Sequence, residues 1–123
     1  MNPQTECLEV RILIVEDDPF VALDLECIVR DAADADICLA SSLAEARRCT
    51  HLPIDFAFLD IDMPDGKIFP VAAELRRRHI PFVFVSGALL HEIPEMLRDV
   101  PFISKPYKVW QIAQHLPRER RAS

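Results

Sequence analysis

Five short, almost wholly apolar runs, separated by stretches of helical character, constrain this chain more than any other feature. They lie at residues 10–15, 37–40, 56–59, 82–85 and 102–103 and are rich in β-branched and aromatic side chains. A strand with one wet face alternates apolar and polar residues, whereas a continuous apolar run of this length suits a strand covered on both faces. Between the runs the spacing becomes helical. Pro19 opens a helix to about Ala33, with Phe20, Leu23, Cys27 and Ile28 as its expected inner face. Ser42 is placed to cap a second over 43–49, with Glu45 at the third helical position as in a capping box. A third runs to about His79 with Val71, Ala72 and Leu75 inward, a weak one containing Pro94 covers 89–98, and a last one covers 107–116. Residues 62–67, punctuated by Pro64 and Gly66, read as a loop. The pattern is βα repeated five times, which implies an α/β fold with a parallel sheet and helices on both faces.

Composition narrows the function. With 123 residues, half of them apolar and 28% charged, the chain has the size and content of one domain with its own core. A net charge of −6 argues against a surface that grips nucleic acid, which needs clustered Lys and Arg. No apolar run is long enough to suggest a membrane span, and the first nine residues do not have the pattern of a signal peptide. Cys7, Cys27, Cys38 and Cys49 are widely and irregularly spaced with no Cys-x-x-Cys pair, so free thiols in a cytoplasmic protein are expected.

The chemistry lies where the runs end. The first is followed by Glu16-Asp17-Asp18, the third by Asp60, the fourth by Ser86 and the fifth by Ser104-Lys105-Pro106. A parallel sheet brings these ends to one edge, where ligands of such sheets bind. Taken singly, each residue is ordinary. An acid after a strand is usually a solvated turn or a helix cap, as Asp18 is placed to be before Pro19. Jointly they place several carboxylates, a hydroxyl and an ammonium in one cleft. Clustered carboxylates repel, and a divalent cation removes the conflict. Oxygen-only ligands favour Mg²⁺ or Ca²⁺ over zinc. The set suits in-line phosphoryl transfer to a carboxylate.

Over most of its length, about residues 10–116, the chain resembles the response-regulator receiver (CheY-like) family. The segments that carry the resemblance are Ile12-Leu13-Ile14-Val15-Glu16-Asp17-Asp18-Pro19, Phe58-Leu59-Asp60-Ile61-Asp62-Met63-Pro64, Phe84-Val85-Ser86-Gly87 and Ser104-Lys105-Pro106-Tyr107. The resemblance implies a flavodoxin-like (βα)5 doubly wound sheet of strand order 2-1-3-4-5, with a receiver domain at 10–117 between flexible tails at 1–9 and 118–123. It implies Asp60 as phosphoacceptor, Ser86 as switch hydroxyl, Lys105 as the phosphate-pairing lysine and Phe102 as switch aromatic. Mg²⁺ would be held by Asp17 and Asp60 directly, by Glu16 through water and by the backbone carbonyl of Asp62. Implied partners are a sensor histidine kinase or histidine phosphotransferase and a downstream protein target, with no nucleic acid and no membrane.

Two departures bear on the fold. Gly66 follows Asp60 about two residues sooner than in most receivers, and the stretch from Ser86 to Lys105 is about three residues short and contains Pro94 and Pro101. A short or irregular fourth helix is therefore expected. With Phe69-Pro70-Val71-Ala72 and Ile80-Pro81-Phe82-Val83-Phe84, these features look like an atypical group of stand-alone receivers. That group often has an aromatic soon after the hydroxyl–glycine pair, where this chain has Ala88 and Leu89.

Two other readings compete. A haloacid-dehalogenase-type phosphatase would use Asp60-Ile61-Asp62 as its nucleophile motif, but it needs an acidic pair after the lysine, and Glu119 alone follows Lys105. A receiver-shaped binding module that is never phosphorylated would not need Asp17, Asp60, Ser86 and Lys105 together. The expected role is thus a phosphoacceptor that catalyses its own phosphorylation and dephosphorylation, not an enzyme acting on a separate substrate.

Overall fold

The computed structural model describes residues 10–88 and 90–117. The expected tails, 1–9 and 118–123, lie outside the described residues, as do Cys7 and Leu89. Five parallel strands form the sheet: β1 (Val10–Val15), β2 (Ala35–Ala40), β3 (Phe56–Leu59), β6 (Phe82–Ser86) and β7 (Phe102–Ser104). Their order is β2-β1-β3-β6-β7. This is the expected 2-1-3-4-5 order, because β4 (Asp62–Met63) and β5 (Gly66–Lys67) form a separate antiparallel hairpin. Residues 62–67 are therefore not the plain loop that their turn residues suggested. Gly66 makes the tight turn with φ 137°, a conformation that favours glycine.

All four residues of β3 and all five of β6 are buried, as expected of strands covered twice. Their side chains alternate between two cores. Leu13, Val15, Leu59 and Phe84 face α2 (Leu43–Cys49) and α3 (Phe69–Arg77). Ile12, Ile14, Phe58 and Val83 face α1 (Pro19–Ala32) and α4 (Val109–Ala113). Phe58 and Phe84 are fully buried, and truncating either to Ala would cost about 3–5 kcal/mol.

α1 corrects one expectation. Pro19 opens it, and Asp18 caps it by accepting from the Phe20 and Val21 amides at 2.9 and 3.4 Å. Its inner face, however, is Leu25, Ile28 and Val29, with Val21 packed beside them. Phe20 and Leu23 are 82% and 58% exposed, and Cys27 is also exposed. The helix carries two overlapping apolar stripes at 3.6-residue spacing, and the stripe with the longer aliphatic run faces the sheet.

The fourth helix is absent in its usual form. Two 3-10 turns, Leu90–Glu92 and Glu95–Leu97, take its place, with Pro94 between them. Proline removes a backbone donor there and disfavours a continuous helix. Buried Ile93, Leu97 and Val100 pin the segment to the core. The last helix is also shorter than its pattern suggested, spanning five residues.

The cysteines require a second correction. Cys38 and Cys49 form a disulfide, with α-carbons 6.3 Å apart, so the expectation of free thiols fails for this pair. The ten residues between them turn from the edge strand β2 into α2, and α2 folds back so that its last residue meets the strand. Cys27 is a free thiol, as expected.

Candidate functional site

Backbone hydrogen bonds carry the strand ends to one level. The Glu16 amide donates to the Ala40 carbonyl at 2.9 Å, the Asp60 amide to the Val15 carbonyl at 2.9 Å and the Lys105 amide to the Ser86 carbonyl at 3.1 Å. These bonds bring Glu16, Asp17, Asp60, Ser86 and Lys105 to the same edge of the sheet. Ser86 lies opposite Ser104, and the Lys105-Pro106 peptide bond is cis.

The acidic run after β1 divides its work. Glu16 turns inward and is buried, Asp17 is exposed, and Asp18 caps α1. Carboxylate oxygens of Glu16, Asp17 and Asp60 lie within 4.8 Å of one another. Lys105 is the cation that Glu16 and Asp60 share: its Nζ is 2.8 Å from Glu16 Oε1 and 3.2 Å from Asp60 Oδ2. Burial pushes the Glu16 carboxyl above its ordinary range and the Asp60 charge adds to the rise, against the paired Lys105 ammonium and a hydrogen bond from the Asp18 amide. Burial alone would pull the Lys105 ammonium down, but pairing with Glu16 and Asp60 outweighs it and leaves the group above its ordinary value.

This donor set fits Mg²⁺. It is made of oxygens alone, and Glu16 Oε1 is buried with no aligned hydrogen-bond donor, its charge met by the Lys105 ion pair. Glu16, Asp17 and Asp60 are the residues that could hold the ion. Asp62 does not add its carboxylate: that side chain is exposed and pairs with Lys67. Its backbone carbonyl is the group that the sequence resemblance named.

Ser86 is buried, and its Oγ accepts from the Ala88 amide at 3.1 Å, which leaves its own proton to be donated. Phe102 is half-buried, lies opposite Phe84 in the sheet and packs against the core on the α2 and α3 side. Two grooves flank the exposed start of α1. One, of about 490 Å³, is lined by Phe20, Val21, Asp24, Lys105, Pro106 and Tyr107. The other, of about 460 Å³, includes Glu16, Asp17, Leu23 and Leu39 in its lining.

Three supporting residues escaped the sequence reading. Asp65, in the turn of the hairpin after Asp60, accepts from the Leu43 and Ala44 amides at 2.8 and 3.2 Å and so caps α2 from a distance. Ser42 caps the same helix as expected, accepting from the Glu45 amide at 3.1 Å, but Glu45 reaches back to Ser41 and not to Ser42. Tyr107, beside Lys105-Pro106, donates its hydroxyl to Asp24 Oδ2 on α1 at 2.7 Å. Burial and this bond push the Tyr107 phenol well above its ordinary range. Lys67 pairs with Glu92 at 3.4 Å as well as with Asp62. The turn signal Pro64-Asp65-Gly66 was visible in the sequence, but the long-range partner of Asp65 was not.

Comparison with known proteins agrees with this architecture. Neither a family model nor a curated protein sequence matches the chain. Among solved structures, it is similar to SdrG from Sphingomonas melonis Fr1, with 33% identity over 86% of this chain and 92% of that one, at a TM-score of 0.72. It is also similar to the non-phosphorylated HemR receiver domain from Leptospira biflexa, with 24% identity, 92% and 100% coverage and a TM-score of 0.69. A CheY-like response regulator receiver domain from Methylobacillus flagellatus matches at 20% identity, with 82% and 90% coverage and a TM-score of 0.70. The strand order, the acidic edge and these likenesses together place the chain in the response-regulator receiver family. No helix among the described residues is long and apolar enough to cross a membrane.

Proposed function

We propose that this chain is a response-regulator receiver that acts in two-component phosphorelay signalling. In this reading it works in the cytoplasm, takes a phosphoryl group on Asp60 from a sensor histidine kinase or histidine phosphotransferase, uses Mg²⁺, and signals through protein contacts. The observation that carries the reading is the convergence on Asp60. A buried carboxylate at the end of the central strand has Lys105 at 3.2 Å and Glu16 and Asp17 beside it.

In the transfer, a carboxylate oxygen of Asp60 forms the bond to phosphorus as the bond from phosphorus to the donor's imidazole nitrogen breaks, and that nitrogen keeps the electron pair. Lys105 already stands beside the acceptor and pairs with a phosphoryl oxygen as a point charge. Ser86 donates its hydroxyl proton to another. Glu16, Asp17, Asp60 and the Asp62 backbone carbonyl would hold Mg²⁺. When bound, this ion neutralises charge on the phosphoryl oxygens. The grooves beside Phe20 and Leu23 offer a docking surface for the domain that brings the phosphoryl group. The new charge of about −1.5 to −2 at Asp60 then draws Ser86 and Lys105 toward it, and Phe102 moves into the space that Ser86 leaves.

Incubation with acetyl phosphate and Mg²⁺, followed by intact mass, tests the proposal. The expected result is one added phosphoryl group, lost in Asp60→Asn while the fold persists. A phosphatase would consume acetyl phosphate steadily without retaining the group, and an inert binding module would do neither.

A further inference from the structure

The Cys38–Cys49 pair stands outside the phosphoacceptor chemistry, yet it is tied to the elements that carry it. Cys38 lies in β2, an edge strand whose one neighbour in the sheet is β1, and is half-buried. Cys49 is the last residue of α2 and is buried in the core. The two positions therefore differ in exposure: Cys38 is partly exposed on the edge strand, and Cys49 is buried beside it. The other end of α2 is held by Asp65, in the hairpin that follows Asp60. The last residue of β2, Ala40, accepts the Glu16 amide.

We propose that Cys38 and Cys49 are a redox modification site, a dithiol that closes and reopens with the thiol redox state around the protein and, when closed, clamps α2 to β2 beside the phosphoacceptor. Closure removes two protons and two electrons from the two thiols. With hydrogen peroxide as oxidant, Cys38 is first converted to a sulfenic acid with release of one water, and attack by the Cys49 thiol forms the disulfide and releases a second. With a low-molecular-weight disulfide, Cys38 forms a mixed disulfide, Cys49 displaces the remaining half, and two small thiols leave. Reopening is the reverse exchange with two reducing thiols.

The pair acts as a sensor and not as a permanent staple for two reasons. The chain buries apolar side chains on both faces of its sheet and does not depend on a disulfide for a core, unlike small secreted domains. Disulfides in a reducing compartment are usually transient or regulatory, and this second reason rests on the cytoplasmic reading above.

The experiment equilibrates the full chain in glutathione mixtures spanning the range of a reducing compartment, alkylates free thiols and counts them by intact mass. A single two-thiol transition within that range is expected, mapping to a Cys38–Cys49 cross-linked peptide, kept in Cys27→Ser and lost in Cys38→Ser. Hydrogen exchange on the two redox forms of the unaltered protein should show slower exchange in α2 on closure and no change in β3. A cross-link through Cys7 or Cys27, a pair that stays closed or stays open across the whole range, or equal α2 exchange in both forms would overturn the proposal. None of these readouts involves phosphoryl uptake, so this inference and the proposed function fail separately.

Discussion

After Asp60 the chain folds at once into the β4–β5 hairpin, whose Asp65 carboxylate holds the first amides of α2. Ile61, Met63 and Ile68 are buried around it, and the Ile68 amide returns to the Ile61 carbonyl at 2.9 Å. After Ser86, at the same edge of the sheet, the chain passes through two 3-10 turns. These are interrupted by Pro94, followed by Pro101, and leave Leu90 and Met96 exposed. That segment is held by three buried apolar residues and by arginines from outside and within it. Arg76 donates to the Met96 carbonyl and pairs with Asp99, and Arg98 donates to the Ile93 carbonyl. One neighbour of the phosphoacceptor is thus fixed by local ladder bonds and a helix cap, and the other by scattered anchors. Segments with few regular backbone bonds open most easily, so a charge added at Asp60 should move residues 87–101 and leave the hairpin in place. The Lys67–Glu92 ion pair joins the two regions, but it lies at the surface, where such pairs contribute little.

The largest effect expected of breaking this arrangement lies at its centre. Lys105→Ala leaves Glu16 and Asp60 facing each other without their shared cation. Removing one partner of such a largely buried group should cost about 3 kcal/mol in urea unfolding. Acetyl phosphate uptake should slow on the order of 10²-fold. An unchanged urea midpoint would show that the pair does not hold this edge together.

Next comes the contrast itself. With beryllofluoride and Mg²⁺ as a phosphoryl mimic, hydrogen exchange should change across 87–102 and much less across 61–67 and α2. Equal changes on both sides, or changes confined to the neighbourhood of Asp60, would remove the distinction drawn above.

A smaller effect belongs to the hairpin's anchor. The Leu43 amide holds the Asp65 carboxyl below its ordinary range, with the Ala44 amide acting the same way against some desolvation. A carboxyl depressed in the folded state stabilises above its unfolded pKa and loses that contribution as pH falls through its folded value. Exchange of the first α2 amides should therefore quicken, relative to amides elsewhere, as pH drops below about 4, and Asp65→Asn should show the quickening already at neutral pH. If Asp65→Asn leaves those amides unchanged, the hairpin does not anchor α2.

The smallest effect concerns Tyr107. Its phenol is raised in the folded state by burial and by Asp24, so the unfolded chain releases that proton first and stability falls as pH climbs past the ordinary tyrosine value near 10. Tyr107→Phe should lose less stability than the wild type between neutral pH and pH about 11, measured by urea midpoints.

The sheet could be read from the sequence because strands covered on both faces are continuous apolar runs, and β3 and β6 are buried at every position. The placement of the candidate site residues was legible for a related reason: Glu16, Asp17, Asp60, Ser86 and Lys105 lie at or just past strand ends, so topology alone brings them together. The face of α1 was not legible. Phe20, Leu23 and Cys27 form as regular a stripe as Val21, Leu25, Ile28 and Val29, and packing against the sheet and α4 decides between them. The cap that Asp65 supplies and the bond from Tyr107 to Asp24 join residues 22 and 83 positions apart, and no local pattern marks such pairs. The disulfide escaped because the two cysteines occupy different elements, with no spacing that signals their meeting.

The most direct test of the central claim is to locate the phosphoryl group. After incubation with acetyl phosphate and Mg²⁺, borohydride reduction converts an aspartyl phosphate to homoserine, and fragment sequencing identifies the converted position. Conversion at Asp60 alone is the result predicted here. Conversion at Asp17 or Asp62, or at no aspartate while the fold is intact, would contradict the assignment of Asp60 as phosphoacceptor.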